Sequence, residues 1–233
     1  MTEEGVPVEA GPAATIELTG LSSEPEQTAA ARSRLYRLLA IAFAFPDHDL
    51  YEALRDGTFA KAVAEITVAL PYDLTAAATL GLGTVAEPYG DFESEYIRLF
   101  DVGAAGPPCP LYGGVYVGDR MKVMEDATRF YNFFGLRLSP EMRELPDHIT
   151  TELEFLHYLT FREAEARQHG VDSLSLLRAE RDFLARHLCR WVPQLQARLT
   201  KQTTPPFFAA LVQFAATFFA QDRQYAAAAA GDA

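Results

Sequence analysis

The chain has 233 residues, of which 49% are hydrophobic, 12% aromatic and 22% charged, a balance that suits a soluble domain with an ample core and excludes a largely disordered chain. Its formal net charge of -12 argues against sequence-independent binding to nucleic acid, which draws its affinity from lysine and arginine on phosphates. Two cysteines, Cys109 and Cys189, and no secretory signal argue against a disulfide framework and for a reducing, cytoplasmic compartment.

In chain order, residues 1–31 hold six glutamates and no lysine or arginine, and residues 1–27 are expected to form a disordered acidic tail ahead of one folded unit over 28–225. Leu35, Leu38, Leu39 and Ala42 make the first helical stripe, which stops at Pro46. Tyr89, Phe92, Tyr96 and Leu99 make another, ending before Gly103. The connection from Asp101 to Gly118 carries five glycines and three prolines, long and irregular enough to suggest function. Within it Gly114-Val115-Tyr116-Val117 is the one candidate strand, too short to support a sheet alone.

Met124, Ala127, Tyr131 and Phe134 predict a helix with Asp119 at its start and Gly135 at its end. Ile149, Leu153 and Leu156 predict a long helix running to His169, closed by Gly170. Leu177, Leu184, Leu188, Trp191 and Leu195 predict the next, kinked or broken near Pro193. Phe208, Leu211, Val212, Ala215, Phe218 and Phe219 mark the last, before an Ala-rich flexible tail over 226–233. The apolar run from Pro205 to Ala220 is shorter than the ~20 residues a membrane span needs, so no stable membrane insertion is expected. An all-α class follows.

The segment Leu145-Pro-Asp-His-Ile-Thr-Thr-Glu152 opens the long helix. Asp147 is placed to cap free N–H groups at the positive end of the helix dipole. At 100° per residue His148, Glu152, Phe155 and Leu159 share a strip beside the core stripe. Such a strip is suited to gripping a peptide with basic and apolar parts; it equally fits a capped helix with a surface ion pair.

Other chemistry finds little support. Glu154-x-x-His157 has the spacing used in helical di-iron bundles, but no second copy exists. His187-x-Cys189 lacks zinc spacing, and no nucleophile elbow, Walker loop or dinucleotide fingerprint is present. Cys109, between prolines, reads better as a buried thiol than as a reactive one. The phenylalanines of the last helix cover more than one face, so an exposed apolar groove there is a second candidate surface.

The Leu145-Pro-Asp-His-Ile-Thr-Thr-Glu152 segment resembles a motif of the TorD/DmsD/NarJ family, cytoplasmic chaperones that hold and proofread twin-arginine signal peptides of molybdenum oxidoreductases. Tyr96-Ile-Arg-Leu-Phe100 is similar to the family's Tyr-x-x-Leu-Phe, and Pro110-Leu-Tyr-Gly-Gly-Val-Tyr116 to its proline-then-Gly-Ser-Val-Tyr loop, with Gly114 where many relatives have serine. Pro107-Pro-Cys-Pro-Leu-Tyr112 is similar to the branch serving clients like ethylbenzene dehydrogenase, selenate reductase and dimethylsulfide dehydrogenase. The resemblance implies one all-helical domain of about nine to eleven helices, no cofactor and no enzymatic activity. Its implied partners are the twin-arginine leader and the catalytic subunit of a molybdenum oxidoreductase, bound by a monomer or a dimer. Asp147, helped by Glu152, is expected to meet the basic part of the leader. Pro146, His148, Tyr112 and Tyr116 would line the peptide site, and Gly113 and Gly114 would let the client backbone lie close. A helical di-metal oxidase and a non-catalytic helical scaffold are the alternatives.

Overall fold

The computed structural model describes residues 20–74, 82–83, 85–103, 106–139 and 144–231. Among these residues there are ten α-helices and no strand beyond an isolated bridge. They are α1 (Glu24–Phe43), α2 (His48–Arg55), α3 (Thr58–Thr67), α4 (Tyr89–Tyr96), α5 (Gly114–Val117), α6 (Arg120–Phe133), α7 (Ile149–Gln168), α8 (Leu174–Arg186), α9 (Leu188–Leu199) and α10 (Pro206–Ala229). The all-α class read from the periodicity is the class of the molecule.

α1 begins at Glu24, inside the span read as tail, because Ser23 and Glu26 close a reciprocal capping box there. The tail expectation for residues 1–19 lies outside the described residues. At the other end α10 runs through Tyr225 to Ala229, so the first four residues of the span read as flexible are helical; alanine is the best helix former and a run of it extends the helix.

α1 lies along α7, the most extensive helix pairing among the described residues. Small residues allow the close approach: Ala29 and Ala30 on α1 pack against Ala164 on α7, and Ser33 donates to the His157 carbonyl at 3.2 Å. α10 packs across α8 and α9 and drives the core. Phe207, Phe208, Phe214, Phe218 and Phe219 are each at most 1% exposed, and Phe208 stacks on Phe92 at 4.8 Å between ring centroids. The last helix therefore offers no groove. Its phenylalanines face the core, while Gln213, Ala220 and Arg223 form the outward side.

Arg32 of α1 is fully buried and binds three fully buried carboxylates: Glu163 of α7, Glu180 of α8 and Asp222 of α10, each at 2.5 Å. Burial alone would lower the Arg32 pKa, but the three acids, Asp222 foremost, hold it well above its ordinary value. Tyr36 and Tyr72 both donate to Asp222. Four helices and the segment after α3 thus meet at one guanidinium.

Two sequence expectations fail locally. Gly114–Val117 is not a strand but the single-turn helix α5, because Val115, Tyr116 and Val117 N–H groups turn back onto Tyr112 and Gly113 carbonyls. The break between α8 and α9 falls at His187, with φ -116° and ψ -101°, and Pro193 sits inside α9. His187 lies between two carboxylates, Glu152 and Asp126, at 3.2 Å each.

Candidate functional site

The three sequence blocks meet at the start of α7. After α4 the chain makes a π-helical turn, Ile97–Asp101, a rare device that re-aims a helix end. Leu99 and Phe100 turn inward, Tyr96 O–H donates to the Phe43 carbonyl at 2.9 Å, and the Leu99 carbonyl accepts from Cys109 N–H. Cys109 is completely buried, and burial pushes its thiol pKa up. The glycine-rich loop then pairs with the motif by backbone. Tyr112 and His148 form an antiparallel bridge, Ile149 N–H donates to Leu111, and Gly113 N–H donates to the Asp147 carbonyl.

Asp147 does not cap its own helix. Its Oδ2 accepts from Gly114 N–H at 2.9 Å across this junction, and the side chain is completely buried. The N-cap of α7 is His148, whose Nδ1 accepts from Thr150 N–H at 3.3 Å and lies 2.6 Å from Thr150 Oγ1. Burial lowers the His148 pKa against the opposing pull of Glu144 and Asp147, which leaves the ring neutral near pH 7.

Glu152 also turns inward. It does not pair with His148; its Oε2 accepts from Trp191 Nε1–H at 2.9 Å, and His187 Nδ1 lies 3.2 Å from Oε1. Burial raises its pKa, and the His187 and Trp191 contacts work against that rise. Tyr116 stacks on Trp191 at 5.5 Å, donates to the Pro110 carbonyl at 2.8 Å and carries the Arg198 guanidinium 4.3 Å above its ring.

The two glycines serve this packing and not an outside chain. A Cβ on Gly113 would lie 3.0 Å from the Trp191 indole, and one on Gly114 would lie 2.9 Å from Arg120 Cα and 3.0 Å from Asp147 Oδ2. The expectation that Gly113 and Gly114 admit a client backbone is corrected on that ground: both are buried among side chains. Asp147 and Glu152 as surface acids are corrected likewise, since both are 0% exposed.

What reaches solvent is the rim of the junction. Tyr112 is half-buried and donates to Glu144 Oε2 at 2.6 Å; His148 Nε2 lies 3.6 Å from the same oxygen. The Glu144 side chain is 40% exposed. Val115 and Leu145, each 38% exposed, belong to the same two segments, and Pro146 is partly open. The Arg120 guanidinium lies 5.4 Å from the Tyr112 ring centroid. Sequence reading missed Glu144; it stands three residues before the conspicuous Asp147, and only its place on the loop before α7 brings it to the surface.

No cluster suited to a metal ion occurs among the described residues. Glu154 and His157 part company, the latter facing α1 with Nδ1 2.8 Å from Ser33 Oγ. No helix among the described residues is long and apolar enough to cross a membrane.

The family model described as "Nitrate reductase delta subunit" matches residues 58–197. The chain is similar to the perchlorate reductase assembly chaperone protein of Dechloromonas aromatica, 34% identical over 81% of this chain and 86% of that protein. It is also similar to the dimethyl sulfide dehydrogenase assembly chaperone protein of Rhodovulum sulfidophilum, 31% identical over 79% of this chain and 76% of that one. With the selenate reductase assembly chaperone protein of Thauera selenatis it shares 40% identity over 51% of this chain and 63% of the relative.

Proposed function

The chain belongs to the nitrate reductase delta subunit family, and from that membership we propose that it is a non-catalytic chaperone for assembly of the catalytic subunit of a molybdenum oxidoreductase. Working in the cytoplasm, it binds that subunit's twin-arginine leader and delays export until folding and cofactor insertion are complete. Masking the leader requires only differential binding, with no covalent step.

One observation carries the assignment of the leader site: a carboxylate and a phenol converge on the solvent-facing rim of the junction, with the buried His148 imidazole directly behind them and exposed Val115 and Leu145 beside them. Glu144 meets a basic residue of the leader. Tyr112 lines the adjoining surface with neutral His148 backing it from beneath, and Val115 and Leu145 receive apolar residues. Asp147, Glu152, Gly113, Gly114 and Tyr116 hold the rim in shape from beneath. A second client contact elsewhere is compatible with this reading.

Titration of a fluorescent leader peptide into wild type and Glu144→Gln, at low and high salt, tests the assignment. The substitution is expected to weaken binding about three- to tenfold at low salt, with the difference shrinking as salt screens an exposed pair. Equal affinity at both ionic strengths removes Glu144 from the site.

A further inference from the structure

Thr151, Glu154, Phe155 and Tyr158 recur along α7 at three- and four-residue spacing and so share one strip of the helix. The strip forms a wall of a cavity of about 210 Å³, completed by Tyr131 and by residues 136–138 after α6. Tyr131 O–H donates to the Pro146 carbonyl at 2.7 Å, which fastens this cavity to the turn that carries the rim described above.

Two polar groups in the cavity have no partner. Thr151 is 4% exposed, yet its Oγ1 makes no hydrogen bond. A helical threonine ordinarily turns to the carbonyl four residues back, but the Asp147 carbonyl is taken by Gly113 N–H. Glu154, exposed at the open side of the cavity, has neither hydrogen bond nor ion pair with any described residue, and the partial desolvation it meets there pushes its carboxyl pKa up. Arg137 lines the same cavity but stays beyond ion-pair distance of Glu154. The fully buried acids Glu152, Glu163, Glu180 and Asp222, by contrast, all face cations or donors.

We propose that this cavity receives a single arginine side chain from a bound peptide. A guanidinium offers five N–H donors in a plane: enough to take the Glu154 carboxylate two at a time and still give one to Thr151 Oγ1. Its flat faces suit the rings of Phe155 and Tyr158, where a cation is drawn to the π-system. Lysine, a compact and strongly hydrated ammonium, satisfies fewer of these groups. The inference rests on the reading of the protein as a peptide-binding chaperone and adds to it a second, separate contact.

The test uses full-length ¹⁵N-labelled protein and a probe independent of any client, N-acetyl-arginine amide, with the lysine analogue alongside. Saturable shifts of backbone amides over residues 151–158 are expected with the arginine probe, weaker with lysine, and absent in Glu154→Gln. No saturable shift in wild type, or identical binding by the variant, overturns the proposal. With the leader peptide, Glu154→Gln is expected to lose about ten- to a hundredfold in affinity, as for a charge-assisted hydrogen bond. Thr151→Val should bind severalfold more weakly while Tm stays level or rises, because it removes an unsatisfied buried hydroxyl; a lower Tm with unchanged affinity gives that residue a merely structural role and overturns its part. Leader binding that ignores Glu154→Gln sinks the cavity and leaves the chaperone reading intact. A wild type that takes the arginine probe but no leader does the reverse.

Discussion

Asp147 and Glu144 sit three residues apart and have opposite environments. The Asp147 carboxylate is sealed inside, where it satisfies the Gly114 N–H; Glu144 stands at the rim, 40% exposed. Removing each should therefore be felt in a different measurement. Asp147→Ala leaves a buried N–H without an acceptor and is expected to cost about 1–3 kcal/mol of stability, read as a lower midpoint in urea unfolding. Glu144→Gln, on the surface, is expected to stay within about 0.5 kcal/mol of wild type in the same experiment. If Asp147→Ala unfolds at the wild-type urea concentration, its role in the junction is wrong. His148 belongs with Asp147 in kind, since burial keeps its ring neutral and its Nδ1 caps α7.

Between elements, the tightest contact at the site is α5 against α6 and the α7 turn. Gly114 has no space for a side chain: an added Cβ meets backbone, Arg120 Cα at 2.9 Å, as well as Asp147 Oδ2. Backbone cannot swing aside as the end of a flexible side chain can. Gly114→Ala is accordingly expected to lose about 1–3 kcal/mol through overpacking and to loosen the hydrogen bond between Gly114 and Asp147. Hydrogen exchange at the Gly113 and Ile149 amides, which bridge the loop and the motif, should accelerate in the variant. Serine at this position would need α5 and α6 to stand farther apart than they do here.

Across the whole molecule, the Arg32 cluster ties α1, α7, α8 and α10 together with three acids against one fully buried cation; Arg167, 22% exposed, adds a partner for Glu163. The surplus acid is relieved at Glu180, where the folded state holds a proton. Burial, with Glu163 and Asp222 nearby, raises its pKa to about 8 despite the attraction of Arg32. The folded state thus favours the protonated form. That stabilisation is complete below the ordinary carboxyl pKa of 4.5 and is lost as pH rises through about 8. Wild type should lose stability across this window relative to Glu180→Gln, whose side chain is neutral throughout. Thermal melts of both proteins from pH 5 to 9 check it; parallel curves would place the proton elsewhere.

The sequence by itself determined the all-helical class, the caps at Asp119, Gly135 and Gly170, and the family, because helical periodicity, turn glycines and short motifs are local signals carried by neighbouring residues. It also located the junction, since the blocks around Tyr96, Tyr112 and Asp147 do meet there. What it left open was which side chains of the junction face water. Helical spacing alone put Glu152 beside His148, whereas Trp191 and His187, some 35 to 40 positions away, draw it inward. Asp147 looked like a cap until a loop more than thirty residues upstream supplied its donor. Only the tertiary structure decided these matters, because burial and hydrogen-bond partners depend on chain segments whose separation in sequence carries no periodic trace, and the same packing brought Glu144 to the rim and left Thr151 and Glu154 unpartnered in one cavity.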